Sequence, residues 1–121
     1  MRPAARRRLD ELLSDPKCGP ESLYICSASI GPYLRAWSNS CSIQQTHVMA
    51  TELATDNGRI TGEIEGYNVW GKNKVRRIFD QFAPHSVKII EAYGDTRGDR
   101  EMLHAAKASF FRPFRVTHIC N

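Results

Sequence analysis

The chain has 121 residues, of which 41% are hydrophobic and 25% are charged, with eight glycines and six prolines. This composition is typical of one ordinary soluble domain, and it excludes collagen, low-complexity disorder and a multidomain assembly. No apolar run approaches the roughly 20 residues that a membrane span needs. The basic start, Met1 to Arg8, leads into a polar stretch rather than an apolar one with a cleavage site, and so it does not resemble a secretory signal.

The net charge of +4 and the sequence pI of about 9.0 favour anionic partners in general. Phosphorylated metabolites, nucleic acid and anionic lipid all fit that charge. The four cysteines, Cys18, Cys26, Cys41 and Cys120, show neither the spacing of a zinc or redox site nor the density of a secreted disulfide scaffold. We interpret them as reduced thiols and expect a cytoplasmic location. The four histidines lie far apart, which disfavours a zinc site.

The elements that the sequence predicts alternate between helices and strands. In chain order they are a helix from Pro3 to Ser14, a buried strand at Leu23–Cys26, a helix opened by Pro32, a hairpin of His47–Leu53 and Arg59–Ile64, a helix beginning near Lys72, a buried strand at Val87–Tyr93, a helix at Asp99–Ala106 and a short strand at Phe110–Arg112. Asn57-Gly58 is the turn signal of the hairpin. The alternation predicts an α/β fold, Rossmann-like, with a mainly parallel sheet flanked by helices.

Three consecutive arginines, Arg6, Arg7 and Arg8, raise the alternative of a nucleic-acid-binding helix. At 3.6 residues per turn they fan around the helix instead of forming one stripe. We therefore expect an ordinary solvated helix surface and no nucleic-acid partner.

Two carboxylates, Asp95 and Asp99, lie four residues apart across a glycine-containing strand-to-helix turn. In a parallel sheet such a turn faces the ligand crevice, and two oxygen ligands there suit Mg²⁺, which completes its shell with water and substrate phosphate. The alternative is local: Asp99 as a helix N-cap and Asp95 as a turn residue.

Two further residues fit an anion site. Lys74 lies in the first turn of its helix, where free N–H groups already favour an anion, and its ammonium adds a point charge. Ser27 follows an apolar strand and offers a hydroxyl. Taken alone, Lys74 could equally be a surface lysine, and small residues such as Ser27 are common at strand ends.

Three segments together resemble the second, third and fourth motifs of haloacid dehalogenase (HAD) superfamily phosphatases: Tyr24–Ser29, Gly71–Arg77 and Ala92–Leu103. The branch that the chain most resembles holds phosphoserine phosphatase-like and phosphatidylglycerophosphatase-like hydrolases. Met49–Leu53, the hairpin after it and Phe110–Phe114 also match that branch, so the resemblance spans nearly the whole chain.

The resemblance implies a Mg²⁺-dependent phosphomonoester hydrolase that works through an aspartyl-phosphate intermediate. Ser27 would hydrogen-bond the phosphoryl group, Lys74 would neutralise it, Asp95 would bind Mg²⁺ directly, and Asp99 would complete the metal site or hold its water ligands. The implied partner is a small phosphorylated substrate.

One departure from the family is large, because the chain contains no Asp-x-Asp, the motif that supplies the family's nucleophile. The family's first strand and cap are also missing, so we expect a single partial HAD-like domain over residues 1–121, from a truncation, a mis-assigned start or a decayed gene. By the resemblance that strand lies at the sheet centre, so its absence predicts an incomplete core, marginal stability, self-association through exposed strands and no turnover by this chain alone. The alternative function is a non-catalytic phosphate-, anion- or partner-binding remnant. The substrate stays open. Tyr67, Asn68 and Trp70 precede Lys74, and a place near the pocket mouth is one interpretation of them; for Trp70 we expect the alternative, packing on the sheet edge.

Overall fold

The computed structural model describes residues 3–113, so the predictions that concern Phe114, His118 and Cys120 lie outside it. The helices are α1 (Pro3–Ser14), α2 (Gly31–Ser40), α3 (Lys72–Phe82) and α4 (Arg100–Ala105), and the strands are β1 (Ile25–Ile30), β2 (Val48–Asp56), β3 (Arg59–Glu65), β4 (Glu91–Gly94) and β5 (Ala108–Phe111). Short 3-10 turns cover Gln45–His47 and Arg97–Asp99. Within residues 3–113 no helix has the length and apolar character that crossing a membrane requires.

The strands form two sheets. In the first, β1 runs parallel to β2, and β2 pairs antiparallel with β3 through a turn at Asn57 and Gly58, both at positive φ. In the second, β4 runs parallel to β5. Parallel strands joined through helices confirm the predicted α/β fold.

No backbone ladder joins the two sheets in the part of the chain that the structure describes. There β1 pairs only with β2 and β4 only with β5, so each leaves one edge without a strand partner. An open edge of this kind presents unpaired N–H and C=O groups to any strand that reaches it. The expected incomplete core, which follows from the resemblance, stays a prediction.

The two sheets are connected by side-chain packing rather than by backbone hydrogen bonds. One buried cluster packs α1 and α2 against the first sheet; its members are Leu9, Leu23, Leu34, Cys41, Ile43, Val48 and Ala50. A second cluster contains one residue of β2, one of α3, one of β4 and two of α4; its members are Met49, Ile78, Ala92, Met102 and Leu103. The second cluster therefore spans both sheets, and apolar burial of this kind is the dominant stabilising term of a domain.

All five predicted strands have different boundaries in the structure: the last, expected at Phe110–Arg112, covers Ala108–Phe111, and two of the strands differ more. The first was expected at Leu23–Cys26, but β1 covers Ile25–Ile30 because its ladder starts where Val48 of β2 becomes available as a partner. The second was expected at Val87–Tyr93, but β4 covers only Glu91–Gly94. Its ladder with β5 starts at the pair Glu91 and Ala108, although the Lys107 N–H already donates to Ile89 O at 2.9 Å.

The last helix and the arginine run also differ in detail from the sequence pattern. The helix predicted at Asp99–Ala106 is a 3-10 turn followed by α4. Arg6 donates to Asp10 and to the Cys41 thiol, whereas Arg8 donates to Glu11 and to the Tyr93 hydroxyl. The two arginines thus make separate contacts within the chain and do not form one basic stripe.

Candidate functional site

Lys74 is the centre of the candidate site. It lies in the first turn of α3, and only 6% of its surface is exposed. Its ammonium donates to the Cys26 carbonyl oxygen at 3.0 Å and to the Asp99 carboxylate. Lysine is almost never buried unless it is paired. Because Cys26 belongs to β1 and Asp99 follows β4, this one side chain links the two sheets that share no ladder.

Asp99 closes the turn after β4. Its Oδ2 accepts the backbone N–H groups of Asp95 at 2.8 Å and Thr96 at 3.0 Å, while Oδ1 accepts from Lys74. Burial alone would raise the pKa of Asp99, but the hydrogen bonds from Lys74 and the two backbone groups outweigh it and hold the pKa below its ordinary value. Asp99 is therefore ionised at neutral pH, as a partner for a buried ammonium must be.

Asp99 occupies the N-cap position of α4, as the alternative interpretation expects, but its carboxylate is used elsewhere. Asp99 makes no side-chain cap bond to α4. Its carboxylate instead forms a capping box with Thr96 at the start of the 3-10 turn. The residue shapes the loop between β4 and α4 and at the same time binds Lys74.

Asp95 and Ser27 lie next to this hydrogen-bonded group. Asp95 follows the last residue of β4, is half-buried, and its own carbonyl accepts a bond from Arg112 Nε at 3.2 Å. Ser27 does not end its strand as expected, because β1 continues to Ile30. Regular pairing with β2 nevertheless becomes irregular after Cys26, and Ser27 Oγ accepts the Ser29 N–H there at 3.1 Å.

The structure thus brings Lys74 and Asp99 into direct contact and places Ser27 and Asp95 beside the backbone atoms that hold them. Lys74 lies at the start of α3, Asp95 and Asp99 lie in the turn after β4, and Ser27 lies inside β1 where its pairing becomes irregular. Their roles in phosphoryl and metal binding remain predictions.

Sequence reasoning missed two residues that shape this group, Cys26 and Gly94, and a third, Thr51, that hydrogen-bonds the loop before α3. The Cys26 carbonyl could not be identified because any residue supplies one. Gly94 permits the close approach of Asp99, since a Cβ there would lie 3.0 Å from the Asp99 Cγ. Thr51, 4% exposed, accepts the Val69 N–H at 3.0 Å and donates to the Asn68 side chain at 3.0 Å. Only Thr51 carried a signal, as a hydroxyl within an apolar strand.

The donors present fit part of a magnesium shell. No three His, Cys, Asp or Glu residues among 3–113 cluster closely enough to hold a metal ion by themselves. Both Asp99 oxygens already accept bonds from this chain, and Asp95 as a direct ligand stays a prediction from the family resemblance. Mg²⁺ commonly takes one or two protein carboxylates and fills its shell with water and phosphate, so the set suits a substrate-bound ion rather than a closed structural site.

Three comparisons bear on this geometry. Residues 1–104 match the family model described as haloacid dehalogenase-like hydrolase. The chain is 46% identical over 61 residues to Protein CicA of Caulobacter vibrioides, in strains NA1000 / CB15N and ATCC 19089 / CIP 103742 / CB 15, and the matched part is 50% of this chain and 27% of each relative.

A solved structure is also similar, that of a conserved functionally unknown protein from Anaerococcus prevotii DSM 20548. The TM-score is 0.54 at 26% identity, with 66% of this chain and 23% of that chain covered. The chain spans about a quarter of the length of these relatives. Because the family model covers most of the 121 residues, the chain belongs to the haloacid dehalogenase-like hydrolase family.

Proposed function

We propose that this chain carries the phosphoryl-binding part of a magnesium-dependent phosphomonoester hydrolase, of the phosphoserine phosphatase-like and phosphatidylglycerophosphatase-like branch. The observation that carries the proposal is the buried Lys74 ammonium. An ammonium has three N–H donors, and the described residues accept two of them. The third would be the donor to an anion.

The neighbouring residues add to that donor. The Ser27 oxygen already accepts a backbone bond, which leaves its O–H to donate to a phosphoryl oxygen. Asp99 pairs with the Lys74 ammonium and holds it in place. Asp95 would hold Mg²⁺, which when bound stabilises negative charge on phosphoryl oxygens.

The sequence contains no Asp-x-Asp, so the described residues hold a phosphoryl group without offering it the family's nucleophile. This supports the second candidate function, a phosphate- or anion-binding module without turnover, for the 121-residue chain alone. We propose phosphomonoester hydrolysis only for a longer protein that also supplies the carboxylate of an Asp-x-Asp motif. We also propose a cytoplasmic location, in line with the free thiols of Cys18, Cys26 and Cys41.

Calorimetric titration of the chain with inorganic phosphate tests the proposal. Lys74→Met should abolish binding, because it removes the charged donor while keeping the length of the side chain. Lys72→Ala is the matched control, since Lys72 lies in the same helical turn but is exposed, and it should bind as the wild type does.

A fold-related loss can be separated from loss of the site. Lys74→Met leaves Asp99 buried without its cation, so the double variant Lys74→Met/Asp99→Asn restores a neutral pair and should fold. If the double variant folds and still binds phosphate with wild-type affinity, the role of Lys74 is refuted. An equal loss of phosphate affinity in Lys72→Ala would show that the effect depends only on the overall positive charge of the chain.

A further inference from the structure

Trp70 is exposed beside the candidate site. Its side chain is 53% exposed, although the residue before it, Val69, is 1% exposed and fixed in the core. Its indole packs against the Cα of Gly98, where an added Cβ would collide with the ring. Gly98 immediately precedes Asp99, and Trp70 precedes Lys74 by four residues. The expected position of Trp70 on the sheet edge is therefore replaced by contact with the turn that carries Asp99.

The backbone around Trp70 is held at several points. The Trp70 N–H donates to Asn68 O at 2.8 Å, and Trp70 O accepts from the Asn73 N–H at 3.2 Å. The Gly71 N–H donates to Gly98 O at 2.8 Å, which ties the two loops together. An indole on such a support loses little conformational entropy when it contacts a ligand, which is the advantage of a preorganised site.

The neighbouring aromatic residue differs in this respect. The ring of Tyr67 is covered by the Arg76 guanidinium at 4.0 Å, and its hydroxyl donates to Asp80 at 2.7 Å. Trp70 differs: no acceptor for its indole N–H is found among residues 3–113, and about half of the residue is exposed to solvent. Of the two rings, Trp70 is the one that remains available.

We propose that Trp70 contacts the organic part of a phosphomonoester whose phosphoryl group is held at Lys74, and that it favours a planar, apolar alcohol. This inference rests on the proposed function. The phosphoryl group is satisfied by charged and polar donors, whereas the exposed indole offers an apolar, polarisable face that suits a flat ring. Trp70 is thus a specificity-determining residue.

The test compares the binding of two anions, inorganic phosphate and phenyl phosphate, by calorimetric titration of the full chain. The titrations are done at about pH 8, where both anions are mainly dianions. Wild type should bind phenyl phosphate about fivefold more tightly than phosphate, the size of an ordinary aromatic pair contact. In Trp70→Ala that preference should fall to about one while the affinity for phosphate is unchanged. Trp70→Phe keeps a ring and should retain part of the preference.

Phe79→Ala is the control, because Phe79 is an exposed aromatic residue farther along α3. It should leave the preference intact. Equal binding of the two anions by wild type, or a preference for phenyl phosphate that survives in Trp70→Ala, would overturn this inference and leave the proposed function standing. Absence of phosphate binding by wild type would refute the proposed function and the inference with it. Fluorescence of a Trp37→Phe variant, in which Trp70 is the remaining tryptophan of the sequence, should be quenched by phenyl phosphate but not by phosphate and gives a second readout.

Discussion

Removing the charge of Asp99 tests how the Lys74–Asp99 pair contributes to the fold. The two side chains are 8% and 10% exposed, so Asp99→Asn leaves the Lys74 ammonium buried without its counter-ion. Breaking a buried pair by changing one partner costs about 3–5 kcal/mol, against a total stability of about 5–15 kcal/mol for a domain. We expect Asp99→Asn to lose a large share of the free energy of unfolding at neutral pH.

The pair of Arg35 and Glu52 provides the comparison. Its contacts are equally short, 2.6 and 3.0 Å, but its side chains are 32% and 40% exposed. Solvent screens such a pair, and its loss costs about 1 kcal/mol or less. Glu52→Gln should therefore be clearly milder than Asp99→Asn.

The difference in stability between wild type and Asp99→Asn depends on pH in a definite direction. Because the pKa of Asp99 is lowered in the folded chain, its stabilising contribution is present above its ordinary pKa of about 4 and is lost as the pH falls through the lower folded value. Urea unfolding followed by circular dichroism should show wild type and Asp99→Asn converging below about pH 4. An Asp99→Asn cost no larger than that of Glu52→Gln at neutral pH, or one independent of pH, would refute the reasoning.

Three further predictions concern residues around this pair. Burial raises the pKa of the Cys26 thiol to about 11, so its alkylation by iodoacetamide should be slow at neutral pH and should keep accelerating up to that pH; a rate that levels off near the ordinary thiol value would contradict the burial. Gly94→Ala should destabilise the chain by about 1–3 kcal/mol in urea unfolding, because the new methyl group displaces Asp99, and wild-type stability would contradict the close approach. Calorimetric titration with Mg²⁺ should show weak binding that Asp95→Asn abolishes; equal binding by both proteins would remove Asp95 from the metal site.

Local patterns predicted most of the secondary structure. The spacing of Val75, Ile78, Phe79 and Phe82 indicated a helix that the structure places at Lys72–Phe82, and Asn57-Gly58 indicated the hairpin turn. These signals depend on neighbours in sequence. The strand boundaries at β1 and β4 were wrong because they depend on where a distant partner strand begins and ends.

The candidate site could likewise be predicted from the sequence only in part. Lys74, Asp95 and Asp99 were identifiable because charged side chains at helix starts and strand ends are visible in sequence. The bond from Lys74 to a carbonyl of β1 and the double use of the Asp99 carboxylate were not, since both arise from the packing of α3 between elements far apart in the chain. The contact of Trp70 with Gly98 is likewise a tertiary feature.

Turnover of p-nitrophenyl phosphate by the purified chain in the presence of Mg²⁺ tests the central claim most directly, namely that residues 1–121 keep the groups that hold a phosphoryl group but lack the nucleophile. The account predicts no hydrolysis above the rate without protein, because neither Lys74 nor Asp95 can replace the aspartate of the missing Asp-x-Asp motif. Hydrolysis by the wild-type chain that disappears in Asp95→Asn would contradict it.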